Sequence, residues 1–418
     1  MENNGLETVA VVGLGYIGLP TAAALATRGV HVIGVDVNED TVDAIGRGEV
    51  PFVEPDLAVA VRGAVSMGSL TTSIKTPEAD AYIIAVPTPF RDDHSADLSY
   101  IRSAIESIAP MLRGGEIVIL ESTSPPGATR LMSEWLAELR PDLILPHTGE
   151  GISNISVAHC PERVLPGRVM IEIVTNDRLI GGITQRCAER AADIYRIFCQ
   201  GELLLTDAGS AEMAKLVENS YRDVNIAFAN ELSLICETLR IDVWEVIRLA
   251  NHHPRVNILK PGPGVGGHCI AVDPWFIVAS APGLSSLIRT AREVNDAKPL
   301  HVAQQVIEKA ARFVQPSIAF FGLAFKANID DLRESPSVGI VAQVAAALPE
   351  VKILVAEPHI HQLPRALSRY ANISLGRTTE VVESADIVVL LVDHDQFRVI
   401  NRSMLAGKVL YDTRGTWS

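Results

Sequence analysis

Apolar and polar positions along the chain fall into three successive regimes. Between residues 8 and 183, short runs of β-branched and aliphatic residues alternate with turn residues and stretches of helical period. TVAVVG at 8–13, HVIGVD at 31–36, AYIIAV at 81–86 and EIVILES at 116–122 read as strands buried on both faces, and runs near 155–159 and 178–183 extend the set. Strands of this kind, separated by helical stretches, predict a parallel sheet covered by helices. From Ser210 to about Leu239 the helical period continues without interruption, with Ser210 as the expected N-cap and Met213, Leu216 and Val217 opening the apolar face. At 1.5 Å per residue that helix is roughly 45 Å long, enough to connect domains or to carry a subunit interface. Helical stretches at 242–250 and 284–312 follow. A second alternating region contains IAFFGL at 318–323, KILVAE at 351–356, IVVLLV at 387–392 and KVLYDT at 408–413. The predicted fold class is α/β: two parallel-sheet domains, 1–206 and 315–418, joined by a central helical domain, 207–314.

Composition narrows the functions such a fold can serve. With 48% hydrophobic and 21% charged residues the chain can build large cores. Its 50 acidic residues outnumber 36 basic ones, a formal charge of −14, which argues against a broad nucleic-acid or anionic-membrane surface. A small anion needs only a local basic cluster and stays open. The five cysteines show no CxxC spacing, so neither a disulfide framework nor a zinc ribbon is expected. Residues 1–8 lack the layout of a signal peptide, and the longest apolar runs are too short to span a bilayer. A soluble protein of the reducing cytoplasm is the expectation.

Candidate chemistry begins at Gly13-Leu14-Gly15-Tyr16-Ile17-Gly18, between a strand and a helix. Gly13 permits the tight turn, Gly15 the approach of a pyrophosphate, and Gly18 close packing of helix on strand. Asp36 closes the next strand, 18 residues beyond Gly18, where a carboxylate can accept both ribose hydroxyls and repel a 2′-phosphate. Dinucleotide binding follows, with NAD favoured over NADP. Thr88 and Thr123 stand at later strand ends, where they can either form turns or contact the nicotinamide half.

Three further segments carry reactive or basic groups. In AEMAKLVENSYRDVN, 211–225, Lys215, Asn219 and Arg222 share one helical face, either as a solvated stripe or as a site. The segment NILKPGPGVGGHC, 257–269, is too rich in glycine and proline for a helix, and its backbone amides can wrap an oxyanion or phosphate. Cys269, which ends it, reads either as a nucleophile near a helix start or as a small buried hydrophobe. A zinc site from His252, His253, His268 and Cys269 lacks ligand spacing. The third segment, FFGLAFKANIDDLRESP at 320–336, has no GxGxxG, so Lys326 and Arg333 point to a phosphate-bearing substrate rather than a second dinucleotide. His253, Arg255 and Lys260 add to the basic lining.

The ordered set GLGYIGLP, AVPTP, ESTSPPG, PERVLPG, AEMAKLVEN, GPGVGGHC and FGLAFKANIDDLRESP resembles the UDP-glucose/GDP-mannose 6-dehydrogenase family over about residues 8–417. The resemblance implies two Rossmann-like domains, a homodimer built on the long helix, and four-electron oxidation of a UDP-sugar C6 alcohol to a carboxylate with two NAD. It further implies Cys269 as the thiohemiacetal- and thioester-forming nucleophile, with Lys215 and Asn219 at the oxyanion. Asp273 would position Lys215 and water, and Glu162 would serve hydrolysis with Thr123 nearby. Gly13, Gly15, Tyr16, Ile17, Gly18, Asp36, Thr88, Thr123 and Arg333 would hold NAD. Arg163, Val164, Lys215, Asn219, Arg222, His253, Arg255, Gly266, Lys326, Ala327 and Arg414 would line the sugar nucleotide, with His253 and Arg255 reaching the partner subunit's substrate. No metal is implied. Two departures, Pro166 in place of a family glutamate and His268 in place of serine, fit the N-acetylhexosamine branch and disfavour UDP-glucose. The rival readings are a single-hydride 3-hydroxyacid-type dehydrogenase, which needs neither Cys269 nor a second α/β domain, and a catalytically idle nucleotide-sugar-binding regulator.

Overall fold

The run TVAVV folds as β1 (Thr8–Val12), and the pleat divides its side chains: Val9 and Val11 enter one apolar core, Ala10 and Val12 the other. That two-sided burial explains the unbroken apolar run. β2 (His31–Val35), β3 (Leu70–Ser73), β4 (Ala81–Ile84), β5 (Ile117–Leu120), β6 (Ser156–His159), β7 (Arg178–Gly182) and β8 (Leu203–Asp207) complete a sheet in the order β3-β2-β1-β4-β5-β6-β7-β8. Neighbours run parallel except β6 and β7, which pair antiparallel. The computed structural model describes residues 6–52, 54–149, 153–165, 167–267 and 269–417. It divides into two compact units, 1–217 and 218–418.

The second unit contains a five-stranded parallel sheet of β9 (Ser317–Phe321), β10 (Lys352–Ala356), β11 (Ile373–Leu375), β12 (Ile387–Leu390) and β13 (Val409–Asp412), in the order β11-β10-β9-β12-β13. Ile318 and Phe320 pack on one face, Ala319 and Phe321 on the other. In both sheets the strand order reverses beside the first strand, between β1 and β4 and between β9 and β12. Such switch points open a crevice at the carboxyl ends of the strands.

Directly after β8 the long helix runs as Ala208–Leu239, 32 residues or about 48 Å. Ser210 is not its N-cap. The helix begins earlier, and the Asp207 carboxylate takes the Ser210 N–H at 2.9 Å and its hydroxyl at 2.6 Å. In the first unit the buried Glu212 of this helix accepts from Gly127 N–H, Thr129 N–H and the Thr129 hydroxyl, at 2.6–2.7 Å. It thereby caps the helix Ala128–Leu139.

In the second unit the same helix is tied to the helix Ser286–Ala310 by buried polar groups. Arg292 donates to Asp223 at 2.6 Å, Asn295 donates to Asp223 at 2.8 Å, and Asn230 donates to Asn295 at 2.8 Å. Removing one partner of a buried ion pair such as Asp223–Arg292 costs about 3–5 kcal/mol, because the other charge is left uncompensated. The remaining helices include Val243–Ala250 and Asp273–Ser280, the second of which the sequence pattern did not predict. None among the described residues is long and apolar enough to cross a membrane.

Candidate functional site

The turn after β1 is shaped by contacts that only glycine permits. Gly13 has φ +96°, and a Cβ there would meet the Ala85 carbonyl oxygen at 2.5 Å. A Cβ on Gly18 would stand 1.9 Å from the Gly13 carbonyl oxygen, whereas one on Gly15 would meet nothing within 4 Å. Two of the glycines thus pack backbone on backbone, and the middle one faces open space at the start of the helix Gly18–Ala26. Tyr16 stacks on Phe52 at 4.2 Å, and Ile17 precedes the helix.

Asp36, half-buried just past β2, accepts from Leu14 N–H and Asn38 N–H, both at 2.9 Å. Each carboxylate oxygen keeps a lone pair for a further donor. Thr88, past β4, has a buried hydroxyl oxygen with no partner among the described residues, as a group awaiting a ligand would have. Thr123 is half-buried past β5, where Ser122 locks the turn by donating to the Val86 carbonyl at 2.7 Å. Open space at Gly15, an aligned carboxylate at Asp36 and an orphaned hydroxyl at Thr88 together fit a dinucleotide.

Further along the same sheet lies Glu162, buried just past β6. One oxygen accepts from Arg178 at 2.7 Å, and the other from Arg163 N–H at 2.7 Å. Arg178 also stands 3.6 Å from the buried Glu121, which accepts from the Thr21 hydroxyl at 3.0 Å and the Tyr195 hydroxyl at 3.2 Å. One guanidinium therefore faces two carboxyls. Burial works against charge on Arg178, but Glu162 and its other acidic neighbours more than offset this, and the guanidinium stays charged. Burial and the Glu162 charge push Glu121 up to about 8. Arg163 reaches the Asp177 carbonyl at 3.2 Å, and Val164 packs against the core. Pro166 lies outside the described residues.

On the long helix the expected Lys215–Asn219–Arg222 face is graded: Lys215 is buried, Asn219 half-buried and Arg222 exposed. It is not a uniform solvated stripe. In the second unit the Asn219 amide nitrogen donates to Asp273 at 2.5 Å, which fixes the orientation of the amide. Cys269 is exposed. Its carbonyl accepts from Asp273 N–H at 2.8 Å, so the cysteine stands one turn ahead of the helix Asp273–Ser280.

The preceding loop is held at several points. Asn230 accepts from Gly262 N–H at 2.9 Å, and a Cβ on Gly262 would lie 2.6 Å from the Arg414 guanidinium. A Cβ on Gly266 would meet the Glu334 carbonyl oxygen at 2.6 Å and Phe325 at 2.9 Å. Tertiary folding thus brings together the cysteine loop, Arg414 and the segment following β9. His268 lies outside the described residues.

Lys326 is half-buried, and Ala327 packs against the core under the second sheet. Arg333, expected on the cofactor, belongs to the second unit, where its guanidinium grips both oxygens of Asp331, the shortest contact being 2.6 Å. His253 and Arg255 are exposed in the turn after Val243–Ala250. Sequence reading missed Arg178, Glu212, Asn230, Glu357 and His394, because their partners lie far away in sequence. The one local signal was a charged residue within an apolar run.

The buried cluster carries a pH signature. Glu121 keeps its proton to about pH 8 in the folded chain but ionises near 4.5 when exposed. The folded state then binds more protons across that interval, so stability falls as pH rises through it. Glu121→Gln preserves shape and neutrality. Its melting temperature is expected to fall less than that of the wild type between about pH 6 and pH 9; equal losses in thermal melts would remove Glu121 as the source.

Three consecutive segments match one set of family models. Residues 7–199 match the NAD binding domain of the UDP-glucose/GDP-mannose dehydrogenase family, 209–297 its central domain and 319–418 its UDP binding domain. A protein of Ralstonia nicotianae named NDP-N-acetyl-D-galactosaminuronic acid dehydrogenase is 57% identical over 412 residues, covering 99% of this chain and 96% of its own. The UDP-N-acetyl-D-mannosamine dehydrogenase of Escherichia coli is 56% identical over 418 residues, covering 98% and 99%. A solved structure of the UDP-D-ManNAc dehydrogenase from Pyrococcus horikoshii aligns with a TM-score of 0.85 at 37% identity, covering 98% of this chain and 96% of that one. All three domains occur in order and the glycine turn fits a dinucleotide: the chain belongs to the UDP-glucose/GDP-mannose dehydrogenase family and is an NAD-dependent oxidoreductase.

Proposed function

We propose that the protein oxidises the C6 alcohol of UDP-N-acetyl-D-mannosamine to the uronate, a precursor for surface polysaccharide, in the cytoplasm. The observation that carries this reading is Cys269, exposed beyond its glycine loop and one turn ahead of Asp273, which is itself bonded to Asn219. A three-part division of labour fits it: residues 1–206 for NAD, 207–314 for the cysteine and 315–418 for the UDP-sugar.

Bound NAD supplies the hydride acceptor, one equivalent for each of the two oxidations. The first converts the alcohol to an aldehyde. The Cys269 sulfur then adds to C6 and gives a thiohemiacetal, which becomes a thioester on losing a hydride and a proton. Water cleaves the C–S bond, releasing the carboxylate and restoring the thiol. Lys215 assists proton transfer, and Asn219, whose second amide N–H is not taken by Asp273, supports the oxyanion. Glu162, held by Arg178, is assigned to the hydrolytic step. Asp36 favours NAD, since a carboxylate there repels a 2′-phosphate. The Ralstonia relative, named for a galactosamine-derived acid at nearly the same identity, supports a second reading in which the sugar is N-acetylgalactosamine.

The long helix supports a homodimer. Tyr221, Phe228, Ile235 and Leu239 repeat at seven- and four-residue spacing and are each 47–72% exposed, an apolar stripe of the kind that a second copy covers.

Purified protein with UDP-ManNAc, UDP-GalNAc, UDP-GlcNAc and UDP-glucose, each with NAD and NADP, tests the reading. Highest kcat/KM is expected for UDP-ManNAc with NAD, with two NADH formed per sugar; one NADH per sugar would sink the thioester route. Cys269→Ser is expected to abolish acid formation while leaving NADH binding intact, and wild-type turnover in that variant would exclude the cysteine. Sedimentation should give a dimer that Phe228→Glu converts to monomer. A wild-type monomer with full activity would defeat the assembly.

A further inference from the structure

At the second switch point three chain segments meet. The loop after β9 carries Lys326, Glu357 directly follows β10, and His394 lies past β12. Glu357 and His394 are buried, and neither was singled out by sequence reading. One Glu357 oxygen accepts from Leu323 N–H at 2.7 Å, Ala324 N–H at 3.1 Å and the His394 ring at 3.1 Å. The His394 Nδ1 accepts from Asn328 N–H at 2.9 Å.

These bonds fix the tautomer. A nitrogen that accepts from a backbone N–H carries a lone pair, so the proton of the ring sits on Nε2 and is donated to Glu357. Glu357, His359 and His394 bring potential metal-ligand atoms within 4.8 Å of one another, yet both His394 nitrogens are already engaged, which leaves no lone pair on that ring for an ion. Asn328 has φ +64° and exchanges side-chain bonds with Asp395, its amide donating at 2.9 Å and accepting from Asp395 N–H at 3.0 Å. The segment 323–328 is therefore clamped at both ends, with Lys326 between the clamps.

We propose that His394 is a positioning residue for nucleotide-sugar binding: its Nε2-protonated ring, oriented by Glu357, holds Asn328 and sets the Lys326 loop for the UDP group. This rests on reading the Lys326 loop as a contact of the UDP-sugar. Two substitutions separate hydrogen bonding from packing. Asparagine in place of histidine puts an acceptor oxygen where Nδ1 was, whereas glutamine supplies the Nε2-like donor and no acceptor for Asn328.

The full-length protein is titrated with UDP and with NADH, and KM and kcat are measured for the sugar nucleotide. His394→Gln is expected to weaken UDP binding and raise KM about tenfold, with kcat and NADH affinity near wild type, while His394→Asn stays within about threefold. Wild-type UDP affinity in His394→Gln, or equal losses in the asparagine and glutamine variants, would overturn the proposal. Lys326→Ala is the control. If it leaves UDP affinity unchanged, the reading of the loop fails; if it weakens UDP binding while His394→Gln does not, only the positioning role fails.

Discussion

Backbone contact at the turn after β1 is the constraint on which the first unit depends. The 1.9 Å that would separate a Gly18 Cβ from the Gly13 carbonyl oxygen, and the 2.5 Å from a Gly13 Cβ to Ala85, leave no room for any side chain. β1, β4 and the first helix can converge only because hydrogen atoms stand where Cβ atoms would be. That convergence leaves the space at Gly15 open and brings Asp36 to the turn through Leu14 N–H. A methyl group at either packed glycine would push apart the elements whose closeness makes the cradle.

The second sheet repeats this construction with a different outcome. Gly13 N–H donates to the Val35 carbonyl at 2.8 Å, and Gly322 N–H donates to the Ala356 carbonyl at 2.9 Å. In each sheet the carboxylate past the neighbouring strand then takes the next amide: Asp36 from Leu14, Glu357 from Leu323. Asp36 remains half-exposed, able to accept from a ribose. Glu357 is 5% exposed and spends its capacity on the loop and on His394. One device holds the glycine turn in the first sheet and organises a loop in the second, within the family's separate NAD and UDP binding domains.

Buried charge is the other organising feature. Arg178 between Glu121 and Glu162, Arg292 on Asp223, and Glu212 on the turn at 127–129 all forgo hydration. Such groups add little net stability compared with apolar packing. What they provide is direction. Each fixes an element that carries a candidate reactive group: Glu162 directly, the cysteine loop through Asn230 and Gly262, and the long helix with Lys215.

The central strands and the glycine turn were legible because their causes are local. Two-sided burial writes an unbroken apolar run, and a tight turn writes glycine. β3, β8 and β11 were missed because they are short or exposed edge strands with little apolar burial to record, as LTTS with its exposed and half-buried positions illustrates, whereas β13, also at an edge, carries an apolar and aromatic run, KVLYDT. The long helix was visible, but its cap was not, since Ser210 resembles a cap while Asp207 performs the task. By itself the sequence determined the α/β class, the NAD turn, and Cys269, Lys215 and Asp273 as candidates. Only the tertiary structure decided that Asn219 meets Asp273 across 54 residues, that one arginine faces Glu121 and Glu162, and that His394 holds Asn328 across 66. Parallel crossover connections bring residues from distant strand ends to one edge, so those pairings are set by topology and leave no periodic trace along the chain.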